Sequence, residues 1–338
     1  MIGVLILCGA VWQMGRVMNA PRWQQWAAVG AIWAAAFVWF RVPFDLTQDA
    51  ARVWVLVTLF GGAVFGYRAV LTMLRKRVKT PDIAPPPLFQ PAELARYARH
   101  IMLREIGGPG QKAIKQARVL VIGAGGLGSP ALMYLAAAGV GVIGVVDDDV
   151  VDQSNLQRQI IHDTQGVGAP KVQSARAAML ALNPFVTVQA VQARLTEANA
   201  AMIADYDLIL DGSDNFDTRY LVNRIAARAG KPLISAAITQ WEGQISLYDP
   251  AHGTPCYECI FPHRPAPGMV PTCAEAGVAA PLPGVIGAMM AMEAVKHITG
   301  AGQTLRGRLM IHDALYAETR VITIKRREDC AACGSAPA

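Results

Sequence analysis

The first 80 residues hold almost no acid: nine Lys or Arg stand against Asp45 and Asp49 alone, a net of +7. The full 338 residues sum to +6, so removing that segment leaves −1 for residues 81–338. The body of the chain therefore lacks the basic surplus that a nucleic-acid-binding surface needs, and nucleic acid is excluded as a partner. Tryptophan is as unevenly placed. Only Trp241 lies outside the first 80 residues, which carry six of the seven. No Lys or Arg precedes the first apolar run and no clear small-residue cleavage site follows it, which argues against a cleaved secretory signal. No internal repeat is present.

What the first segment does have is three apolar stretches, about 2–18, 23–40 and 53–74. A bilayer-spanning helix takes about 20 mostly apolar residues, with a range of ~17 to 25. The second and third meet that length, with Arg68 able to snorkel, while Gln13 and Arg16 interrupt the first. Trp23, Trp26, Trp39 and Trp54 flank the stretches as interfacial anchors would. Buried core helices are the alternative; the expectation is a membrane anchor of two or three transmembrane helices over residues 1–79. Arg75, Lys76, Arg77 and Lys79 follow the third stretch, whereas Arg41 and Arg52 are offset by two aspartates. The positive-inside rule then makes the chain a multi-pass protein of the cytoplasmic membrane with everything beyond residue 79 in the cytoplasm. Five of the six cysteines fall in that reducing compartment, which disfavours structural disulfides.

A Pro-rich linker, residues 80–92, leads to a third region, 93–338. The apolar spacing of AELARYARHIMLREIG predicts one helix ending near Gly107 and Gly108. Strands at 118–123, 142–147, 186–191, 207–211 and 232–237 then alternate with helices at 126–139, 170–182, 196–204 and 215–229. This is an α/β fold, a Rossmann-like mostly parallel sheet with helices on both faces. Beyond it come the strand QISLYDP, a Pro-, Gly- and Cys-rich stretch, the helix GVIGAMMAMEAVKHITG, and short strands near 305–312 and 320–326.

In VLVIGAGGLGS the glycines Gly123, Gly125, Gly126 and Gly128 join a strand to a helix so that backbone can approach a phosphate. Asp147, closing the next strand, is placed to accept from ribose hydroxyls. An NAD enzyme and an ATP enzyme fit these features equally well. The segment SNLQRQ, with Ser154, Asn155, Leu156, Gln157, Arg158 and Gln159, favours a triphosphate, whose charge must be neutralised during transfer. Lys171 adds a point charge after GVGAP. In DGSDN, Asp211 and Asp214, followed by Asn215, suit Mg²⁺. CYEC and CAAC place Cys256, Cys259, Cys330 and Cys333 as two C-x-x-C pairs able to build a closed four-thiolate zinc site. Such a zinc is structural and clips an antiparallel C-terminal extension onto the domain; a redox dithiol and unpaired core cysteines are the competing readings.

Taken together, GAGGLGS, SNLQRQ, GAPK, DGSDN, EGQISLY, CYEC, TCAEAGV and the GVIG helix resemble the MoeB/ThiF/HesA family, relatives of the ubiquitin-activating enzymes, and its MoeB branch most. The resemblance covers about residues 93–334. It implies an enzyme that uses ATP and Mg²⁺ to adenylate the C-terminal glycine of a Gly-Gly-ended, ubiquitin-like sulfur carrier protein, releasing pyrophosphate for molybdopterin or thiamine-type sulfur transfer. It also implies a homodimer in which an arginine of an R-Y-x-R helix reaches the partner's phosphates; here the motif is RYAR and the residue Arg99. Arg158, Lys171 and a metal at Asp214 would neutralise charge, and Asp147 and the glycines would hold the nucleotide. Cys273 lies where relatives use a cysteine in sulfur transfer; the expectation is that adenylation does not need it. Only GSAPA follows Cys333, so sulfur would come from a separate donor protein.

The alternatives are a membrane transport protein with a cytoplasmic NAD-sensing domain, a dehydrogenase, and a family member that activates a small molecule or a tRNA base. The first would place a carbonyl-lined filter between spans, and RVPFDLTQDAAR has none.

Overall fold

Alternate residues of each central strand enter different cores, which is what a sheet covered on both faces requires. The computed structural model describes residues 2–17, 22–41, 48–77, 88–266, 269 and 273–334. In β1 (Arg118–Ile122), Val119 and Val121 join one apolar cluster while Leu120 and Ile122 join the other. The same alternation runs through β2 (Val142–Val146), β4 (Leu208–Asp211) and β5 (Leu233–Ile238), with β3 (Thr187–Val191) more exposed. The first core lies under helices α5 (Gly107–Gln116), α6 (Gly128–Ala138), α7 (Lys171–Leu182) and α11 (Pro281–Thr299). The second lies under α8 (Phe216–Arg228) and α9 (Tyr257–Ile260).

The eight strands stand in the order β3-β2-β1-β4-β5-β6-β7-β8. The first five are parallel, and β6 (Glu242–Tyr248), β7 (Arg308–Asp313) and β8 (Glu318–Thr323) extend the sheet antiparallel. Successive connections run outward from β1 to β2 and β3, then jump back across β1 to β4. The order therefore reverses between β1 and β4, and a crevice opens at their carboxyl ends.

Two expected helices come out differently. The RYAR helix, α4 (Pro91–Ile101), stops before the Gly pair, and α5, unforeseen, begins at Gly107. Gly107 has φ +58, a left-handed geometry that closes one turn and allows the next helix to start at a new angle. The segment expected as a helix at 196–204 is a 3₁₀ stretch, Ala200–Asp205.

The chain divides into two units, Met1–Pro86 and Pro87–Ala338. The first contains α1 (Ile2–Val17), α2 (Arg22–Arg41) and α3 (Gln48–Arg77), with Trp12 and Trp26 edge to face at 4.7 Å. Among the described residues one helix is long and apolar enough to cross a membrane, at Val57–Leu74 with mean hydropathy 1.5. Two shorter apolar helices, Gly3–Met14 and Gln25–Phe37, accompany it. The apolar part of α2 is Gln25–Phe37, which at ~1.5 Å per residue covers about 20 Å of a ~30 Å hydrocarbon layer. Trp23 and Trp26 are exposed, while the side chains of Trp39 and Trp54 and most of the linker at 80–92 lie outside the described residues.

Candidate active site

The glycine loop closes the crevice at the end of β1. Gly123 has φ +92, and its N–H donates to the Val146 carbonyl at 2.8 Å, tying the loop to β2. A Cβ on Gly128 would sit 1.9 Å from the Gly123 carbonyl oxygen, so the turn into α6 admits no side chain there. At Gly126 a Cβ would press on Pro283 at 3.1 Å, whereas at Gly125 it would meet nothing nearer than 3.7 Å. The loop hands over directly to α6, whose N-terminal N–H groups and positive dipole end face the crevice.

Asp147, just past β2, braces this loop. One carboxylate oxygen accepts from the Ala124 N–H and the other from the Asp149 N–H, both at 2.8 Å. Each oxygen keeps a second lone pair for a ribose hydroxyl. The SNLQR segment forms a 3₁₀ turn, Gln153–Asn155, whose N-terminus is capped by Asp152. Hydrogen bonds from Ser154 hold the Asp152 carboxyl below the ordinary carboxylate range. Arg158 donates to the Asn155 side-chain oxygen at 2.8 Å, and its Cγ lies 3.8 Å from where a Gly126 Cβ would be. The turn thus lays the Arg158 stem beside the glycine loop, with its guanidinium held by Asn155 and the Ser154 carbonyl. Ser154 and Gln157 are exposed and Leu156 is half-buried.

Lys171 opens α7 and is buried, with Nζ on the Asp149 carboxylate at 2.8 Å. That partner was not foreseen. Asp149 stays exposed, so the pair is solvated on one side.

The two DGSDN aspartates separate in role. Asp211 is fully buried and accepts from Ser213 N (3.0 Å), Ser213 Oγ (2.6 Å) and Ser235 Oγ (2.8 Å), with Arg219 Nε at 3.8 Å. Its oxygens are committed to the protein, which corrects the reading of Asp211 as a metal ligand. Asp214 is exposed at the rim, and Asn215 caps α8 by accepting from Thr218 N at 2.9 Å. Arg99 is exposed on α4, anchored nearby through Tyr97, whose hydroxyl accepts from Asn183 at 2.8 Å.

Two residues escape the sequence reading. His162 is buried, with Nε2 2.9 Å from the Ala124 carbonyl and Nδ1 2.9 Å from Ser174 Oγ. Burial lowers its pKa below the ordinary 6.5, and nearby Lys171 acts in the same direction. Arg219 donates to the Ser213 carbonyl at 2.7 Å and lies 5.8 Å from the Tyr257 ring, holding the DGSDN loop from behind. A single histidine in a mixed loop sequence and one arginine of an amphipathic helix carry no periodic signal that marks them.

Cys256, Cys259, Cys330 and Cys333 are all buried and their sulfurs converge within 4.8 Å of one another. Neighbouring Sγ pairs lie at 3.4 to 3.9 Å. Tetrahedral zinc with ~2.3 Å bonds separates its sulfurs by about 3.8 Å, so the donor set fits that ion. The Asn223 amide donates toward Cys256 Sγ (3.8 Å) and the Arg327 N–H toward Cys259 Sγ (3.5 Å), contacts that favour thiolates. Burial and the neighbouring sulfurs push the Cys256 thiol up, and burial raises Cys333 to about 11, a cost that a bound cation reverses. Cys273 begins the short helix α10 (Cys273–Ala276), but its side chain lies outside the described residues.

Comparison with known proteins agrees with this geometry. The ThiF family matches residues 97–332. The probable adenylyltransferase/sulfurtransferase MoeZ of Mycobacterium tuberculosis is 52% identical over 251 residues, covering 71% of this chain and 64% of that protein. The sulfur carrier protein adenylyltransferase of Thermus thermophilus is 50% identical over 250 residues, covering 72% of this chain and 92% of that one. The chain thus spans under two thirds of the first relative and nearly all of the second. Among solved structures, E. coli MccB with MccA-N7isoASN shares the fold, with a TM-score of 0.63 at 22% identity over 74% of this chain and 77% of its own. The chain belongs to the ThiF family.

Proposed function

We propose that this chain adenylates the C-terminal glycine of a ubiquitin-like, Gly-Gly-ended sulfur carrier protein, using ATP and releasing pyrophosphate. The observation that carries the reading is the pairing of a phosphate-shaped glycine loop with two cations, Arg158 beside Gly126 and Lys171 at the start of α7, around the crevice between β1 and β4. Hydride transfer makes no use of those cations; displacement at a phosphate does. The names of the Mycobacterium and Thermus relatives point the same way.

A C-terminal carboxylate, with a pKa near ~3.5, is already ionised at neutral pH and attacks the α-phosphorus without a general base. The chain's task is placement and charge neutralisation. Asp147 and the glycine loop would orient ribose and phosphates. Lys171, exchanging Asp149 for phosphate oxygen, and Arg158 would stabilise the charge that builds on the departing pyrophosphate. Asp214, with its exposed carboxylate, is the residue that would hold Mg²⁺, which supplies further neutralisation. The four cysteines would hold a structural zinc that leaves no open coordination position for substrate.

The reading extends to a homodimer whose Arg99 serves the partner's site, to a separate sulfur donor, and to a Cys273 dispensable for adenylation. It also places residues 93–338 as the catalytic domain on the cytoplasmic side of a membrane to which residues 1–79 attach it. A chain lacking residues 1–79 should leave the membrane fraction; one that stays there refutes the anchor. The central test is ATP–pyrophosphate exchange by the full, zinc-replete chain with candidate Gly-Gly-ended carriers. Carrier-dependent exchange is expected; none with any carrier, or binding of NAD in place of ATP, would sink the proposal.

A further inference from the structure

We infer that His162 is a positioning residue that aims the Gly125 N–H at the phosphates of the bound nucleotide. The inference rests on the ATP reading above and concerns the peptide before Gly125, the loop glycine with the most room around it.

The peptide group joining Ala124 to Gly125 is planar and trans, so its C=O and N–H point in opposite directions. The Ala124 carbonyl points inward, onto His162 Nε2 at 2.9 Å. The Gly125 N–H must then point away from the buried ring, and among the described residues it meets no acceptor. The glycine at 125 does not by itself enforce this orientation. A glycine tolerates the positive φ that a reversed peptide would demand, and even a Cβ at Gly125 would find no atom closer than 3.7 Å. A reversed peptide would present a carbonyl where a phosphate needs a donor. The preceding peptide is pinned from the other side, because the Ala124 N–H is held by Asp147 at 2.8 Å. Asp147 and His162 therefore fix successive peptides of the loop.

The ring is set for this task. Donation from Nε2 to a carbonyl leaves Nδ1 of the neutral imidazole as an acceptor, and Ser174 Oγ at 2.9 Å supplies the matching proton. Ser174 lies one turn beyond Lys171 on α7, so the ring joins the glycine loop to the helix that Lys171 opens. The charged groups around it are Lys171 on α7, Asp147 at the end of β2 and Asp163 beside it in sequence. Burial, the largest influence, and Lys171 favour the neutral ring; the Ala124 carbonyl, Asp147 and Asp163 oppose them, and the balance lies below the ordinary pKa.

The test compares ATP and adenosine binding by the full chain. His162→Phe keeps a ring but loses both hydrogen bonds; it should weaken ATP roughly tenfold, one lost hydrogen bond, raise the KM of exchange more than it lowers kcat, and leave adenosine unchanged. His162→Gln, which keeps an N–H at the reach of Nε2, should restore most of the ATP affinity. Equal ATP affinity in wild type and His162→Phe, or parallel loss of ATP and adenosine, would overturn the inference while leaving the adenylation reading intact. A wild type that binds no ATP would overturn that reading and this inference with it. If His162→Phe does not fold, ¹⁵N-glycine-labelled wild type decides: the Gly125 amide, assigned with Gly125→Ala, should shift on adding ATP and not adenosine, and an amide unmoved by ATP refutes the aim of the peptide.

Discussion

Asp211 and Asp214 stand three residues apart in one loop and should fail in opposite ways. Asp211 is fully buried, and its removal strands two serine hydroxyls, a backbone N–H and the Arg219 guanidinium. Breaking a buried charged network of this kind costs ~3 to 5 kcal/mol. Asp211→Ala should therefore lose that much stability in denaturant unfolding. Asp214→Ala, at an exposed position, should unfold like the wild type yet lose Mg²⁺-dependent exchange by ~100-fold or more. Equal destabilisation by the two would show that the loop does not divide the roles. His162 gives a pH signature. Its folded pKa lies below the ordinary 6.5, mainly through burial. Above that ordinary value both states are neutral and its contribution is complete; as pH falls below it, the unfolded chain takes up a proton that the folded chain refuses, and stability drops. Unfolding free energy should fall more steeply between about pH 7 and pH 5.5 in the wild type than in His162→Gln. Parallel slopes would contradict the assignment.

At the scale of elements, much of the architecture could be read because apolar periodicity reports what packing later uses. VLVI, VIGVV and LIL are continuous apolar runs since both faces of a parallel sheet are covered, and the observed β1, β2 and β4 lie within one residue of the expected strands. The break between α4 and α5 was not legible. The apolar spacing continues through Met102 and Leu103, and only the left-handed Gly107 starts a new helix axis. Glycine in a helical pattern signals a stop without saying whether another helix begins. The site divides in the same manner. The glycine loop, Arg158, Lys171 and the cysteines stand out as candidates because a phosphate cradle or a metal site would draw residues from short local motifs. His162, Arg219 and the Asp149 partner of Lys171 were hidden, because each acts through a contact whose other half lies at least six residues away. In the first unit composition suggests two or three spans; among the described residues one apolar window, Val57–Leu74, reaches bilayer length, and two shorter apolar helices accompany it.

Across the second unit as a whole, the cysteine cluster and the crevice at the carboxyl ends of β1 and β4 are linked through a short path of side chains. Cys256 and Cys259 flank Tyr257, whose N–H donates to Asn223 on α8 at 2.9 Å. The Tyr257 ring lies against Phe261, Tyr220 and Tyr248 and beside the Arg219 guanidinium. Arg219 in turn holds the Ser213 carbonyl of the DGSDN loop. A zinc that fixes Cys256 and Cys259 therefore fixes the backing of the loop that would carry Mg²⁺, besides tying Cys330 and Cys333 to a segment more than 70 residues earlier. Loss of the metal leaves four buried, converging thiols with no cation between them, a loss that for a structural zinc is measured in several kcal/mol. At ~2 to 4 °C per kcal/mol for a domain of this size, chelation should lower the melting temperature by about 10 °C or more. The coupling adds a second effect: the chelated chain, at a temperature where it remains folded, should show a raised KM for Mg·ATP, and zinc should restore both quantities together. Metal analysis of the purified chain should find one zinc per chain before chelation. A chain that holds no zinc would refute the metal assignment, and one that melts lower on chelation while its KM for Mg·ATP stays fixed would show that the cluster and the crevice are independent.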